Sequence, residues 1–221
     1  MPTADFHLYL ITDRRLASGG DLLYAVEQAI IGGVRAVQLR EKDLGSRELL
    51  SLAREMRRLT SAYGAKLLIN DRVDIALAAG ADGVHLGGDS ISPRDARRLL
   101  GPNRLIGCST HRAEQIEQAE ADGADFAVFG PVYFTPSKAA FGPPLGLEAL
   151  QSACARTRIP VFALGGVGAA NIDEVISAGA DGVAMISAIL SAKDPKAAAT
   201  DINISINNIF YRYSQGGGAR S

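Results

Sequence analysis

The stretch VQLREK at residues 37–42 follows a helix-like segment and has the alternation of a β-strand. Because successive strand residues face opposite sides, Gln38, Arg40 and Lys42 share one face, and the apolar residues between them share the other. A guanidinium that stays charged at any working pH is costly to bury without an anion. The strand is therefore predicted to form a wall of an anion-binding site. The alternative is that Arg40 pairs with an internal carboxylate and serves only the core.

Seven further apolar runs, separated by segments of helical periodicity, accompany this strand along the chain. Their apolar residues are continuous, which is typical of parallel strands buried on both faces. The sequence Gly-Ala-Asp recurs at residues 80–82, 123–125 and 179–181, each time between a predicted helix and a strand. Eight strand–helix units predict an α/β fold, a single (β/α)8 TIM barrel over residues 1–214. A doubly wound open sheet is the alternative, although it does not usually need eight uninterrupted units.

Composition excludes several classes of protein. The 221 residues carry a formal net charge of −1, without the basic patch of a nucleic-acid-binding protein. No apolar run approaches the roughly 20 residues that span a bilayer, and the N-terminus lacks the layout of a signal peptide. Two distant cysteines, Cys108 and Cys154, favour a reducing cytoplasm. Residues 215–221 are Gly-rich and are predicted to form a disordered tail.

Polar residues follow the predicted strands at their carboxyl ends, where TIM barrels carry their active sites. Three of them are cations, and hydroxyls, amides and carboxylates accompany them. This combination predicts a phosphorylated or pyrophosphorylated ligand with a divalent metal ion at Asp71. The residues are Thr12, Asp13, Arg40, Lys42, Asn70, Asp71, Asp89, Ser90, Ser109, His111, Thr135, Ser137, Lys138, Gly165, Gly166 and Ser187.

Individual positions allow more specific expectations. Gly165 and Gly166 after strand seven, with Ser187 after strand eight, stand where barrels often bind a phosphate, although a tight turn without a ligand is the alternative. His111 lies just past strand five, where a neutral imidazole could transfer a proton. His85, in the middle of strand four, is interpreted as a packed or hydrogen-bonded interior residue.

Eight motifs occur in order between about residues 7 and 195 and together resemble the thiamine-phosphate synthase family, which also contains the TenI-type thiazole tautomerases. The motifs are YLITD at 9–13, VQLREK at 37–42, INDR at 69–72, GVHLG at 83–87, GCSTH at 107–111, GPVYFTPSK at 130–138, GGV at 165–167 and GADGV at 179–183. The resemblance implies a TIM barrel that joins a hydroxymethylpyrimidine pyrophosphate to a thiazole phosphate and releases pyrophosphate. It is also compatible with a homodimer.

The resemblance also implies roles for residues at matching positions. Substrate contacts with the pyrimidine pyrophosphate fall to Gln38, Asn70, Arg40, Lys42, Ser109 and Lys138. Contacts with the thiazole phosphate fall to Thr135, Ser137, Gly165, Gly166 and Ser187. Asp71 would hold Mg²⁺. Arg40, Lys138 and Ser109 are the expected catalytic residues of a synthase, with His111 as that of a tautomerase.

The segment after strand four departs from the synthase pattern. Ser90 stands where synthases usually carry a second metal-binding aspartate, and Gly88 replaces a glutamine. A serine at this position resembles the tautomerase branch of the family. In that branch His111 would carry a proton and no metal would be needed. The retained polar groups, a complete pyrophosphate cradle, favour the synthase. A third hypothesis is a non-catalytic barrel that binds thiazole phosphate and regulates the pathway.

Overall fold

The strands form a closed barrel in the computed structural model, which describes residues 4–136 and 142–215. Every neighbouring pair is parallel, the order follows the chain, and the last strand pairs with the first. The strands are β1 (Leu8–Ile11), β2 (Ala36–Leu39), β3 (Lys66–Asn70), β4 (Gly83–Leu86), β5 (Leu105–Thr110), β6 (Phe126–Phe129), β7 (Val161–Leu164) and β8 (Gly182–Met185). The predicted TIM barrel is confirmed and the open sheet is excluded.

Helices cover the outside of the barrel. Within the described residues they are α1 (Leu22–Ile31), α2 (Ser46–Ala62), α3 (Val73–Ala79), α4 (Pro93–Leu100), α5 (Ala113–Ala121), α6 (Gly146–Ala155), α7 (Ile172–Ser177), α8 (Ser187–Leu190) and α9 (Pro195–Gln215). Ser92 caps α4 by accepting the Asp95 N–H at 3.1 Å, with Pro93 at the first helical position. In the described chain no helix combines the length and apolar character needed to cross a membrane. Helix α9 includes Gln215, the first residue of the predicted tail, and the rest of that tail lies outside the described residues.

Strand alternation separates two apolar layers. The outer layer, between strands and helices, includes Val37, Leu39 and Cys108, so the side chain of Cys108 faces the helices. The inner layer fills the barrel with aromatic rings and smaller side chains, and Phe126 and Phe162 lie edge to face with ring centroids 5.5 Å apart. The barrel is therefore packed through its lower part and is open to polar groups only above this layer.

The aspartates of the three Gly-Ala-Asp segments fasten the amino-terminal end of the barrel. Each carboxylate accepts the backbone N–H of a residue near the start of the preceding strand. The pairs are Asp82 with Leu67 at 2.8 Å, Asp125 with Ile106 at 2.7 Å and Asp181 with Val161 at 2.8 Å. The repeat thus has a structural cause, because each aspartate joins two neighbouring strands where they enter the barrel.

Candidate active site

The inward face of the strands becomes polar at the carboxyl end of the barrel. Gln38 of β2 is buried, and Asn70 of β3 and Ser109 of β5 are half-buried above the aromatic layer. Arg40 follows directly after β2 and is also half-buried, whereas Lys42 lies beyond the strand and is exposed. The alternation predicted for the stretch 37–42 therefore holds through Arg40, and Lys42 reaches the mouth from a turn.

A buried carboxylate anchors the backbone that carries Arg40. The Arg40 N–H donates to Thr12 Oγ1 at 2.9 Å, and the Thr12 hydroxyl donates to Glu41 Oε1 at 2.6 Å. Glu41 is 5% exposed and also accepts the backbone N–H of Arg14 at 3.1 Å. This network joins the ends of β1 and β2, so the position of Arg40 is fixed by bonds that leave its guanidinium unused.

The guanidinium of Arg40 and the ammonium of Lys42 make no salt bridge among the described residues, because Arg14 supplies the cation for Glu41 at 3.2 Å. Arg40 therefore makes no direct ion pair in the described part of the chain, although its charge, after that of Arg15, contributes to lowering the pKa of the Asp13 carboxyl. Two cations without a direct ion pair at one end of a barrel attract anions.

A cavity of about 330 Å³ opens between the ends of β2, β3 and β4. Its lining combines the cation of Lys42 with oxygen-bearing side chains of Asn70, Asp71, Asp89 and Ser90. A cavity that contains both a cation and carboxylates suits an anionic ligand. A basic side chain can pair with part of its negative charge, and a metal ion that the carboxylates hold can pair with the rest.

Asp71 has an unusual backbone. Its φ of 64° is the only positive value of a non-glycine residue in the described chain, and its N–H donates to the His85 carbonyl at 2.8 Å. Aspartate adopts this left-handed conformation at a cost, and such costs concentrate at functional sites. The conformation holds the exposed carboxylate of Asp71 at the cavity beside Asp89.

The donor set suits Mg²⁺ better than a metal that requires a complete protein cage. No group of three or more His, Cys, Asp or Glu side chains with metal-binding geometry occurs among the described residues. Mg²⁺ is usually held by one or two carboxylates, with water and substrate phosphates completing the shell. Asp71 and Asp89 supply such carboxylates, while the Ser90 hydroxyl accepts the Gly87 N–H at 2.8 Å and closes the turn.

A chain of hydrogen bonds runs below the mouth. His85 Nε2 lies 3.0 Å from Ser109 Oγ, His85 Nδ1 lies 3.4 Å from the Tyr9 hydroxyl, and Gln38 Nε2 donates to that hydroxyl at 3.2 Å. Burial, and secondarily the charge of Arg40, lower the pKa of His85 to about 3. The interpretation of His85 as a hydrogen-bonded interior residue is confirmed, and its imidazole is neutral at physiological pH.

His111 lies at the rim, exposed, immediately after β5. Its Nδ1 is 2.5 Å from the Gly130 carbonyl oxygen, and its backbone N–H donates to Gln115 Oε1 at 2.7 Å. A carbonyl only accepts, so Nδ1 carries a proton, and in the neutral imidazole the lone pair is on Nε2. His111 is thereby held in the tautomer that can accept a proton at Nε2.

The loops after β6 and β7 form the other rim. Gly165 and Gly166 have φ of 97° and 64°, and a Cβ on Gly165 would lie 2.5 Å from Pro131 Cβ. Only glycine allows the two loops to meet in this way. Thr135 is half-buried in the β6 loop and Ser187 is exposed at the start of α8, whereas Ser137 and Lys138 lie outside the described residues.

Three residues of this site were not predicted to have a role. Thr12 was named only as a polar residue at a strand end, and Glu41 and Tyr9 were not among the candidates. Glu41 and Thr12 form the anchor of Arg40, and Tyr9 joins Gln38 to His85. Tyr9 shares strand parity with Ile11 and lies in the inner layer, so its hydroxyl needs an interior partner. That requirement is the signal from which its role could have been inferred.

The sequence also matches a family model described as thiamine monophosphate synthase, over residues 8–189. The chain belongs to this family. A protein of Geobacter sulfurreducens, provisionally named thiamine-phosphate synthase, is 61% identical over 89% of this chain and 92% of its own. The thiamine-phosphate synthase of Moorella thermoacetica is 45% identical over 90% of this chain and 94% of its own.

Solved structures support the same family and fold. A thiamine phosphate pyrophosphorylase from Pyrococcus furiosus superposes with a TM-score of 0.84 at 37% identity, covering 92% of this chain and 96% of that one. A 3-hexulose-6-phosphate synthase superposes with a TM-score of 0.70 at 23% identity, over 91% of this chain and 100% of that one. The second likeness concerns the barrel alone.

Proposed function

We infer that this family member is a thiamine-phosphate synthase, a transferase that joins hydroxymethylpyrimidine pyrophosphate to thiazole phosphate and releases pyrophosphate. The observation that carries the inference is that Arg40 and Lys42 make no salt bridge among the described residues and lie at a mouth that also holds carboxylates. Relatives named thiamine-phosphate synthase, at 43–46% identity, support the same reaction. Neither cation makes a salt bridge in the described chain, so a strongly anionic ligand can pair with both.

The proposed chemistry depends on charge stabilisation. When the bond between the pyrimidine methylene carbon and the pyrophosphate oxygen breaks, negative charge accumulates on the leaving group. Arg40, Lys42 and Lys138 are proposed to stabilise it, because fixed donors aimed at developing charge lower the barrier. Gln38 and Asn70 are proposed to hold the pyrimidine, with Ser109 contacting the pyrophosphate. The thiazole nitrogen then captures the pyrimidine carbon.

Asp71, with Asp89 beside it, is proposed to hold Mg²⁺. When bound, the ion would neutralise pyrophosphate oxygens as charge develops on them. The thiazole phosphate is proposed to lie on the opposite rim, against the backbone of Gly165 and Gly166 and the hydroxyl of Ser187. Thr135 and Ser137 are proposed to contact the thiazole side.

A second candidate activity rests on His111. Its Nδ1 contact with the Gly130 carbonyl leaves Nε2 as a proton acceptor at the rim. We propose that, if the chain has thiazole tautomerase activity, Nε2 carries the proton. The direct comparison is His111→Ala: metal-independent isomerisation should disappear while synthase turnover changes little. An unchanged isomerisation rate would exclude His111 as the proton carrier.

The test of the main proposal is release of pyrophosphate when both precursors and Mg²⁺ are supplied. Each precursor alone is the control, and omission of Mg²⁺ should abolish most of the release. Absence of pyrophosphate at saturating concentrations of both precursors would contradict synthase activity. A cytoplasmic location and a homodimer stay predictions.

A further inference from the structure

The interior chain of Ser109, His85, Tyr9 and Gln38 crosses the barrel beneath the proposed ligand. It connects β5 to β2 through side chains of β4 and β1, with successive links of 3.0, 3.4 and 3.2 Å. Its two central members are enclosed, because His85 is 2% exposed and Tyr9 is 0% exposed. The two end members, Ser109 and Gln38, are both proposed to touch substrate.

The hydrogen bonds from Gln38 to Ser109 run in one direction, from donor to acceptor. Gln38 donates an amide N–H to the Tyr9 hydroxyl, so the hydroxyl hydrogen of Tyr9 is available to His85 Nδ1. A neutral imidazole that accepts at Nδ1 carries its proton at Nε2. His85 Nε2–H then donates to Ser109 Oγ, and the hydroxyl hydrogen of Ser109 is left to point elsewhere. Ser109 is half-buried near the carboxyl end of β5, so a ligand in the mouth can accept this hydrogen.

The surroundings preserve this direction. Rings of Phe126 and Tyr9 lie 5.9 and 5.8 Å from the imidazole, centroid to centroid, so water does not compete for its nitrogens. A Cβ on Gly107 would lie 2.8 Å from His85 Nδ1, so glycine at 107 provides the space for the ring. In an apolar interior each hydrogen bond is stronger and each unpaired group more costly than in water.

We propose that Tyr9 and His85 are positioning residues that hold the Ser109 hydroxyl as a hydrogen-bond donor to the pyrophosphate. This inference rests on the proposed synthase function. It specifies the substrate group that Ser109 recognises, an anionic oxygen that can only accept. If the chain ran the opposite way, Ser109 would donate down to His85 and present only lone pairs to an anion. The direction of these buried hydrogen bonds would therefore favour a leaving group whose oxygens accept hydrogen bonds.

The first measurement is the tautomer of His85 in the full-length protein, from nitrogen-15 chemical shifts of labelled histidine. The proposal predicts a proton on Nε2 and a lone pair on Nδ1, unchanged between about pH 6 and pH 8. A proton on Nδ1 in the wild-type protein would overturn the proposal. This measurement does not depend on turnover, so it is separate from the test of the synthase reaction.

The second measurement uses Tyr9→Phe, which removes one hydroxyl and keeps the ring. Without that donor, His85 should populate both tautomers, and kcat should fall about tenfold with a smaller change in KM. Phe162→Leu is the control, because Phe162 lies in the same inner layer, 6.3 Å from Tyr9 between ring centroids, and has no polar atom. Equal kinetic losses in Tyr9→Phe and Phe162→Leu at equal destabilisation would overturn the proposal.

A double-mutant cycle shows whether Tyr9 acts through Ser109. In a Ser109→Ala background, Tyr9→Phe should change kcat less than about twofold, since the hydroxyl that it positions is gone. A full additional tenfold loss would contradict the proposed route. If the wild-type enzyme releases no pyrophosphate at all, the synthase proposal fails, while the tautomer measurement still decides the direction of the chain.

Discussion

The two ends of the barrel differ in how their charged residues are paired. At the amino-terminal end, Asp82 pairs with Arg57 at 2.5 Å and Asp125 pairs with Arg97 at 2.6 Å, and each aspartate also accepts a strand N–H. Burial raises the pKa of Asp125, partly offset by the Ile106 N–H and by Arg97. These two carboxylates are therefore satisfied within the protein and serve the fold.

At the carboxyl end, only part of the charge is satisfied. Glu41 is neutralised by Arg14, whereas Arg40 and Lys42 make no salt bridge among the described residues. A larger cavity, about 430 Å³, lies at the amino-terminal end beside Lys66 and Asp82, so volume alone does not identify the site. What distinguishes the mouth is the strained Asp71, in a cavity that combines a cation with carboxylates at the carboxyl ends of the strands. The comparison predicts that mutations at the two ends separate activity from stability.

The largest effect is expected for Arg40→Ala. Loss of a cation aimed at developing charge should reduce kcat/KM of the synthase reaction by about 10²–10³-fold, with little change in the free energy of unfolding. Steady-state kinetics and denaturant titration measure the two quantities. Arg98→Ala, which removes an exposed arginine of α4, is the charge control. A wild-type kcat/KM in Arg40→Ala would remove the basis of the comparison.

The converse change is Asp125→Asn at the amino-terminal end. Breaking its pair with Arg97 leaves a half-buried guanidinium, so the free energy of unfolding should fall by about 3 kcal/mol. The kcat of the folded fraction should stay near the wild-type value. Asp173→Asn disrupts an exposed pair with Arg212 and should cost less than about 1 kcal/mol. Equal costs in the two variants would contradict the structural role given to Asp125.

Thr12→Val tests the anchor of Arg40. The variant removes the hydroxyl that links the Arg40 N–H to Glu41, so kcat/KM should fall about tenfold. Thr60→Val is a matched control, because Thr60 is also fully buried but donates to a carbonyl within α2. Both variants should lose about 1 kcal/mol of stability. If activity falls equally in both, the anchor has no specific effect on the site.

Ser90→Asp tests the proposed metal site. An aspartate can keep the turn by accepting the Gly87 N–H and offer its second oxygen to a metal ion in the same cavity. The Mg²⁺ concentration for half-maximal activity should therefore fall about tenfold, since ligand charge tunes such affinities. Asp89→Asn should raise that concentration. No change in either variant would place the metal ion away from this cavity.

The fold was predictable because its signals are local and repeated. Continuous apolar strands and the Gly-Ala-Asp repeat each depend on neighbouring residues in the sequence. The alternation that brings Gln38 and Arg40 to one face depends only on strand geometry. These features carried the prediction of a TIM barrel and of a polar mouth.

The anchoring contacts were not predictable, because they depend on register between strands. Glu41 stands between two cations in the sequence, yet its partners are Thr12 and Arg14 of the neighbouring strand end. The positive φ of Asp71 likewise follows from the turn that the barrel imposes after β3. No periodicity in a single sequence records such pairings.

The central claim is that Arg40 and Lys42 at the mouth of the barrel bind a diphosphate. Calorimetric titration of pyrophosphate in the presence of Mg²⁺ tests it most directly. The wild-type protein and Asp125→Asn should bind alike, and Arg40→Ala should bind at least about tenfold more weakly, because one charge-assisted contact is lost. Equal affinity in Arg40→Ala and the wild-type protein would contradict the claim.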